Sequence, residues 1–111
     1  MPEAVEEFPF TPRVSVFKVE GKMFALSDLA SRPLRVSVKC EPELAEQLRA
    51  TYDAVVPGYH LNKRHWNTIT LDGSIPDLEL RNMIEDSYDL VVAGLSAAAR
   101  RGLGLESAAE A

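Results

Sequence analysis

The dipeptide Glu20-Gly21, placed between two β-rich runs, is the feature that most constrains the fold of this chain. In the first run, residues 14–19, the side chains of Val14, Val16 and Lys18 alternate with those of Ser15, Phe17 and Val19. The second run covers residues 22–29. A two-residue connection that ends in glycine is typical of a tight β-hairpin, because glycine adopts the positive φ angles of such turns. The sequence therefore predicts an antiparallel pair of strands.

A third strand is predicted at residues 34–40. Every second residue from Leu34 to Cys40 is apolar, and the residues between them are Arg35, Ser37 and Lys39. This period of two gives the strand one core face and one wet, basic face.

Two helices and two more strands complete the predicted order. Proline suits the first turn of a helix, where its missing N–H costs nothing. The connections are short, which favours an α+β fold with an antiparallel sheet and helices packed on one face. The remaining predicted elements are a helix from Pro42 to Thr51, strands at residues 54–59 and 66–71, and a helix from a capping box at Ser74 and Asp77 to Leu95.

The length of 111 residues and the single cysteine predict one domain without disulfides, in a reducing compartment. We assign residues 1–101 to this domain and residues 102–111 to a flexible tail. The N-terminus lacks the basic start and apolar core of a secretory signal, and no apolar run is long enough for a membrane span. We therefore expect a soluble, cytoplasmic protein.

The formal charge of −5 argues against a general affinity for nucleic acid, which depends on neutralising phosphates. The charge is uneven, however: residues 1–12 carry −3, residues 13–65 carry +3 and residues 66–111 carry −5. The N-terminal part, with Glu3, Glu6 and Glu7, is predicted to be an acidic lead-in, the tail of a helix.

Residues 57–74, PGYHLNKRHWNTITLDGS, hold both histidines and the single tryptophan beside Lys63 and Arg64. This segment resembles the signature of the MmcQ/YjbR family, small bacterial proteins usually described as DNA-binding. Further matches are VFKVEGKMFAL at residues 16–26, VKCEPELAEQLR at 38–49 and SYDLVVAGL at 87–95. The resemblance implies a frataxin-like (CyaY-like) sheet-and-helix layer in a double-wing arrangement.

Members of that family usually carry a longer N-terminal helix, whereas this sequence starts close to the segment that follows it. The surface that the helix covers would then be free for a second copy of the chain. We therefore expect a homodimer or another protein-interaction role as one possibility.

DNA binding through a basic strip is the first functional hypothesis. Cations would hold phosphates, flat rings would stack on bases or sugars, and Asn62 and Asn67 would read base edges. It requires Lys22 and Lys39 to converge with the loop cations on one side of the sheet, where Lys18 joins them only if its face is the wet one. The proposed contact residues are Lys22, Lys39, Lys63, Arg64, His65 and Trp66.

The alternative is a small-molecule pocket lined by Tyr59, His60 and Trp66. The segment also has a structural interpretation, in which Trp66 is a core residue, and His60 and Asn62 satisfy turn backbone groups.

No enzyme, cofactor or metal site is predicted. The spacing of His60 and His65 is not that of a known ligand pair, and no Ser/His/Asp or Cys/His arrangement can be argued. Cys40 is expected to be a buried, inert thiol. The acidic N-terminus resembles the iron-binding ridge of frataxin only by fold analogy, and a solvated acidic end is the expectation.

Overall fold

The computed structural model describes residues 3–58 and 61–96. Alternating side chains form the strands, and the apolar spacing of three and four residues forms the helices. The elements are β1 (Ala4–Glu7), β2 (Val14–Val19), β3 (Lys22–Asp28), β4 (Arg35–Lys39), α1 (Pro42–Thr51), β5 (Val55–Pro57), β6 (Trp66–Thr70) and α2 (Asp77–Ala93).

The strands form one six-stranded antiparallel sheet in the order β1-β2-β3-β4-β6-β5. The predicted α+β class is therefore confirmed. The acidic lead-in was wrongly assigned to a helix tail: Ala4–Glu7 is an edge strand that pairs with β2. All four of its residues are exposed, so it lacks the half-buried alternation from which a strand is recognised.

The predicted hairpin turn is present between β2 and β3. Glu20 and Gly21 have φ angles of +48° and +75°, as a tight turn of this kind requires. A register shift follows it, so that Phe17 pairs with Ala25 while Lys18 pairs with Met23. The extra residue is Phe24, which this bulge turns into the core.

The register divides the sheet into two faces. The helix face is centred on the row Phe17, Ala25, Val38 and Asn67, and the open face on the row Val16, Leu26, Ser37 and Thr68. α2 packs against β2, β3 and β4. The ring of Phe24 meets that of Tyr88 edge to face, with centroids 5.3 Å apart.

A buried hydroxyl fixes α2 to the sheet. Ser87 donates to the Phe24 carbonyl at 2.5 Å and accepts from the Lys39 N–H at 2.8 Å. The serine therefore satisfies one backbone group at the bulge and another at the end of β4, neither of which could be left unpaired in the core at low cost.

The starts of the two helices differ in how well they were predicted. Pro42 opens α1 as expected. The capping box before α2 is wrong, because Ser74 donates to the Asp72 carboxylate and Pro76 holds the cap position. That bond holds the pKa of Asp72 below its usual value.

Several sequence predictions lie outside the described residues. They concern Tyr59, His60 and the tail at residues 102–111. Neither α1 nor α2 has the length and apolar character that a membrane crossing needs, as judged over residues 3–58 and 61–96.

Candidate functional site

The connection between β5 and β6 carries Lys63, Arg64 and His65 of the proposed DNA-contact residues, and Trp66 begins β6. Gly58 donates to the Trp66 carbonyl at 2.8 Å and extends the strand pair by one residue. The turn then closes on Asn62, whose side chain accepts from the Arg64 N–H at 2.9 Å and whose carbonyl accepts from the His65 N–H at 3.2 Å. The Asn62 side chain therefore hydrogen-bonds to the turn backbone in this structure.

Arg49, in the last turn of α1, holds this loop in place. Its Nε donates to Asn67 Oδ1 at 2.7 Å, and its Nη2 donates to the carbonyls of Lys63 and Trp66. The planar, multi-donor guanidinium suits three divergent acceptors. The sequence gives no signal for this role, since a basic residue in the last turn of a helix is already explained by the helix dipole.

Asn67 is buried, with an exposed fraction of 1%. Its amide nitrogen lies 3.4 Å from the Ala45 carbonyl, and its oxygen accepts from Arg49. The side chain links β6 to α1 and is not accessible to a base edge, so that prediction was wrong.

The loop cations lie beside carboxylates. Lys63 and Arg64 are exposed and share a groove of about 350 Å³ with Glu43 and Glu46 of α1. Lys63 Nζ also lies 3.4 Å from the Gly58 carbonyl. The potential of this groove is therefore mixed in sign.

The strand lysines are divided between the two faces. Lys39 pairs with Trp66 on the open face, whereas Lys22 pairs with the core residue Val19 and so lies on the helix side. Lys18 is on the open face but forms an ion pair with Glu7 at 3.1 Å. The structure therefore does not gather the six proposed DNA-contact residues into one strip.

The open face carries an apolar pocket of about 580 Å³. The described lining residues come from the segment before β2, from β2 and β3, from the turn after β3, and from Leu61 of the β5–β6 loop. The lining residues are Phe10, Thr11, Arg13, Val14, Met23, Leu26, Asp28, Ala30 and Leu61. Trp66 is not among them.

Two charged residues line this pocket, and they differ in their partners. Asp28 accepts from Arg35 Nη2 at 3.3 Å and from the Ala30 N–H at 3.1 Å. The Arg13 guanidinium has no hydrogen-bond or ion-pair partner among residues 3–58 and 61–96, while its backbone bonds to Thr11 and Leu29. The unbalanced charge at the pocket is therefore positive.

A second groove, of about 340 Å³, separates α1 from α2 on the helix side. Cys40 lines it and is buried, as predicted. Burial, followed by the charges of Asp86 and Glu41, raises the pKa of the thiol, which makes the reactive thiolate scarce. In the part of the chain that the structure describes, no three His, Cys, Asp or Glu side chains form a metal-binding group.

The segment before β2 also exposes large apolar side chains. Val5 and Phe8 are half exposed, and Phe10, beside the pocket, has an exposed fraction of 71%. Self-association through these side chains stays a prediction.

Two of the proteins that are similar to this chain in sequence come from Escherichia coli. The chain is 39% identical over 90 residues to the uncharacterized protein YbdF of Escherichia coli O157:H7, covering 80% of this chain and 73% of YbdF. It is 43% identical over 81 residues to the uncharacterized protein YjbR of Escherichia coli K12, covering 72% of this chain and 68% of YjbR.

Solved structures agree with this relationship. The fold superposes on the crystal structure of a Deinococcus radiodurans protein with domain DUF419, with a TM-score of 0.89 and 44% identity, over 95% of this chain and 80% of that one. A Pseudomonas syringae protein gives a TM-score of 0.69 and 30% identity, over 78% of this chain and 86% of that one. The family model named YjbR matches residues 1–90. The chain belongs to the YjbR family.

Proposed function

We propose that this protein is a non-enzymatic binding protein that holds a small, largely apolar molecule in the open-face pocket. The observation that carries the proposal is the pocket itself. Its volume of about 580 Å³ falls within the roughly 300–1,000 Å³ typical of small-ligand sites. Of the nine lining residues within the described part of the chain, six are apolar, and the polar ones are a threonine and two charged residues, which is the usual composition of such a site.

The anchoring of the pocket walls supports the same proposal. Arg49 fastens the loop that carries Leu61 through the Lys63 and Trp66 carbonyls. On the opposite wall, Leu29 donates to the Arg13 carbonyl at 2.7 Å. A pocket with walls held in this way avoids much of the ordering cost of binding.

The proposed site takes in part of the segment in which the sequence predicted a pocket. Tyr59 and His60 lie outside the described residues, and Trp66 does not line the pocket, but Leu61 of the same loop does. The motif therefore contributes Leu61 to the proposed site.

Filling the pocket tests the proposal. Ala30 is an exposed turn residue at the pocket, so Ala30→Trp should occupy the space without disturbing the core. We expect single-ring and short-chain apolar compounds to shift the amide resonances of Met23, Leu26 and Leu61 in the wild type. The Ala30→Trp variant should lose these shifts, with affinity falling by about tenfold or more once the apolar contacts are blocked.

The matched control is Ala50→Trp, at an exposed position on α1. It adds the same ring away from the pocket and should leave binding unchanged. Shifts that persist in Ala30→Trp, or that cluster away from the open face, would overturn the proposal.

DNA binding is the second candidate, and one observation favours it. Lys63 and Arg64 are adjacent and exposed, and the Lys39 ammonium has no ion-pair partner among the described residues. Because Glu43 and Glu46 share the loop groove, we infer that such binding would be weak and sensitive to salt.

An anisotropy titration with duplex DNA at several salt concentrations checks this second candidate. Replacing Lys63 and Arg64 by alanine should reduce the slope of log affinity against log salt by about 2, since each phosphate contact contributes about 0.9. Arg81→Ala, an exposed site on α2, should reduce it by less than half a unit. An absence of binding at low salt would rule this candidate out.

A further inference from the structure

The charge balance at the open-face pocket indicates which ligands it selects. Asp28 is neutralised by Arg35 and also accepts from the Ala30 N–H. Arg13 has no such partner within the described ranges. An anionic group on the ligand would therefore meet an uncompensated cation, whereas a cationic group would have to compete with Arg35 for Asp28.

A second donor lies two residues from Arg13. Thr11 Oγ1 accepts from the Arg13 N–H at 3.1 Å, so its hydroxyl proton is left to donate. The same bond fixes the backbone of Arg13 relative to Thr11. A guanidinium and a hydroxyl carried on one short, anchored segment provide the donors that a carboxylate accepts.

We propose that the pocket binds small carboxylic acids with an apolar body, and that Arg13 and Thr11 hold the carboxylate while Met23, Leu26 and Leu61 contact the body. This inference rests on the proposed function and adds the chemical class of the ligand. The apolar residues of β3 and the loop give affinity to any apolar molecule of suitable size. Arg13 gives the preference for an acid.

Three probes that share one apolar chain test the inference: octanoate, octanol and octylamine. Calorimetry on the full chain should show octanoate binding about tenfold more tightly than octanol, with octylamine the weakest, because charge-assisted hydrogen bonds are the stronger kind. Arg13→Gln should remove the advantage of octanoate and leave octanol binding within about twofold. Arg13→Lys should retain part of the advantage.

The control is Arg81→Gln on α2, which makes the same change in net charge away from the pocket. Equal binding of octanoate and octanol at the pocket residues would overturn the inference and leave the proposed function standing. An octanoate preference that survives Arg13→Gln would remove Arg13 from the site. Failure of all three probes to shift the pocket resonances would count against the proposed function itself.

Discussion

Gly58→Ala should lower the free energy of unfolding by about 2–3 kcal/mol, near the upper end of what overpacking costs. A Cβ atom at this buried glycine would lie 2.7 Å from Trp66 Cβ and 3.2 Å from Leu61 Cβ. Real side chains do not approach so closely, so the end of the β5–β6 pair must move. The melting temperature should fall by about 10 °C or more, given the usual relation for a domain of this size.

Trp66 is the only tryptophan, so its fluorescence reports this change directly. Thermal unfolding followed at the tryptophan emission should show both the lower melting temperature and an altered native spectrum. Gly94→Ala is the matched control, because its nearest contact would be an ordinary 3.6 Å and its φ of −87° suits any residue. Equal melting temperatures for the two variants would show that Trp66 does not pack on Gly58 as described.

The features of the fold that could be predicted from the sequence are those that depend on residues close together in the chain. The Glu20-Gly21 turn, the β4 strand and the start of α1 at Pro42 each depend on a few neighbouring residues. The wet face predicted for β4 was wrong at Ser37, which is buried and hydrogen-bonded to Thr68. The edge strand β1 did not follow, since Ala4–Glu7 is a strand only through its pairing with β2. No periodicity in those four exposed residues indicates that partner.

The arrangement of the candidate site depends on tertiary structure and was less predictable. The bulge at Phe24 reverses the faces of the β3 residues that precede it and so puts Lys22 on the helix face, whereas Lys18 on β2 shares the open face with Lys39. The path of the β5–β6 loop places Leu61 at the open-face pocket and Lys63 beside α1. A basic, aromatic-rich sequence does not indicate which of its residues lies at the pocket and which lies beside α1.

The link between Arg49 and Asn67 connects stability to the candidate site. Arg49→Met should cost about 2–3 kcal/mol of unfolding free energy, because a charge-assisted bond is lost and buried Asn67 keeps an unsatisfied oxygen. Asn67→Leu should cost a similar amount. The double variant should cost less than the sum of the two, with a coupling energy of about 1.5 kcal/mol, because both single changes break the same 2.7 Å bond.

Hydrogen exchange separates the loop contribution from this coupling. Arg49 also donates to the Lys63 and Trp66 carbonyls, so Arg49→Met should speed amide exchange through residues 63–66 more than Asn67→Leu does. Arg49→Lys retains the charge but lacks the planar, multi-donor guanidinium. Its loop amides should therefore exchange as fast as those of Arg49→Met. Strictly additive stabilities would show that Arg49 and Asn67 are not coupled. Unchanged exchange in the loop would show that Arg49 does not anchor it, and the pocket wall at Leu61 would then need another support.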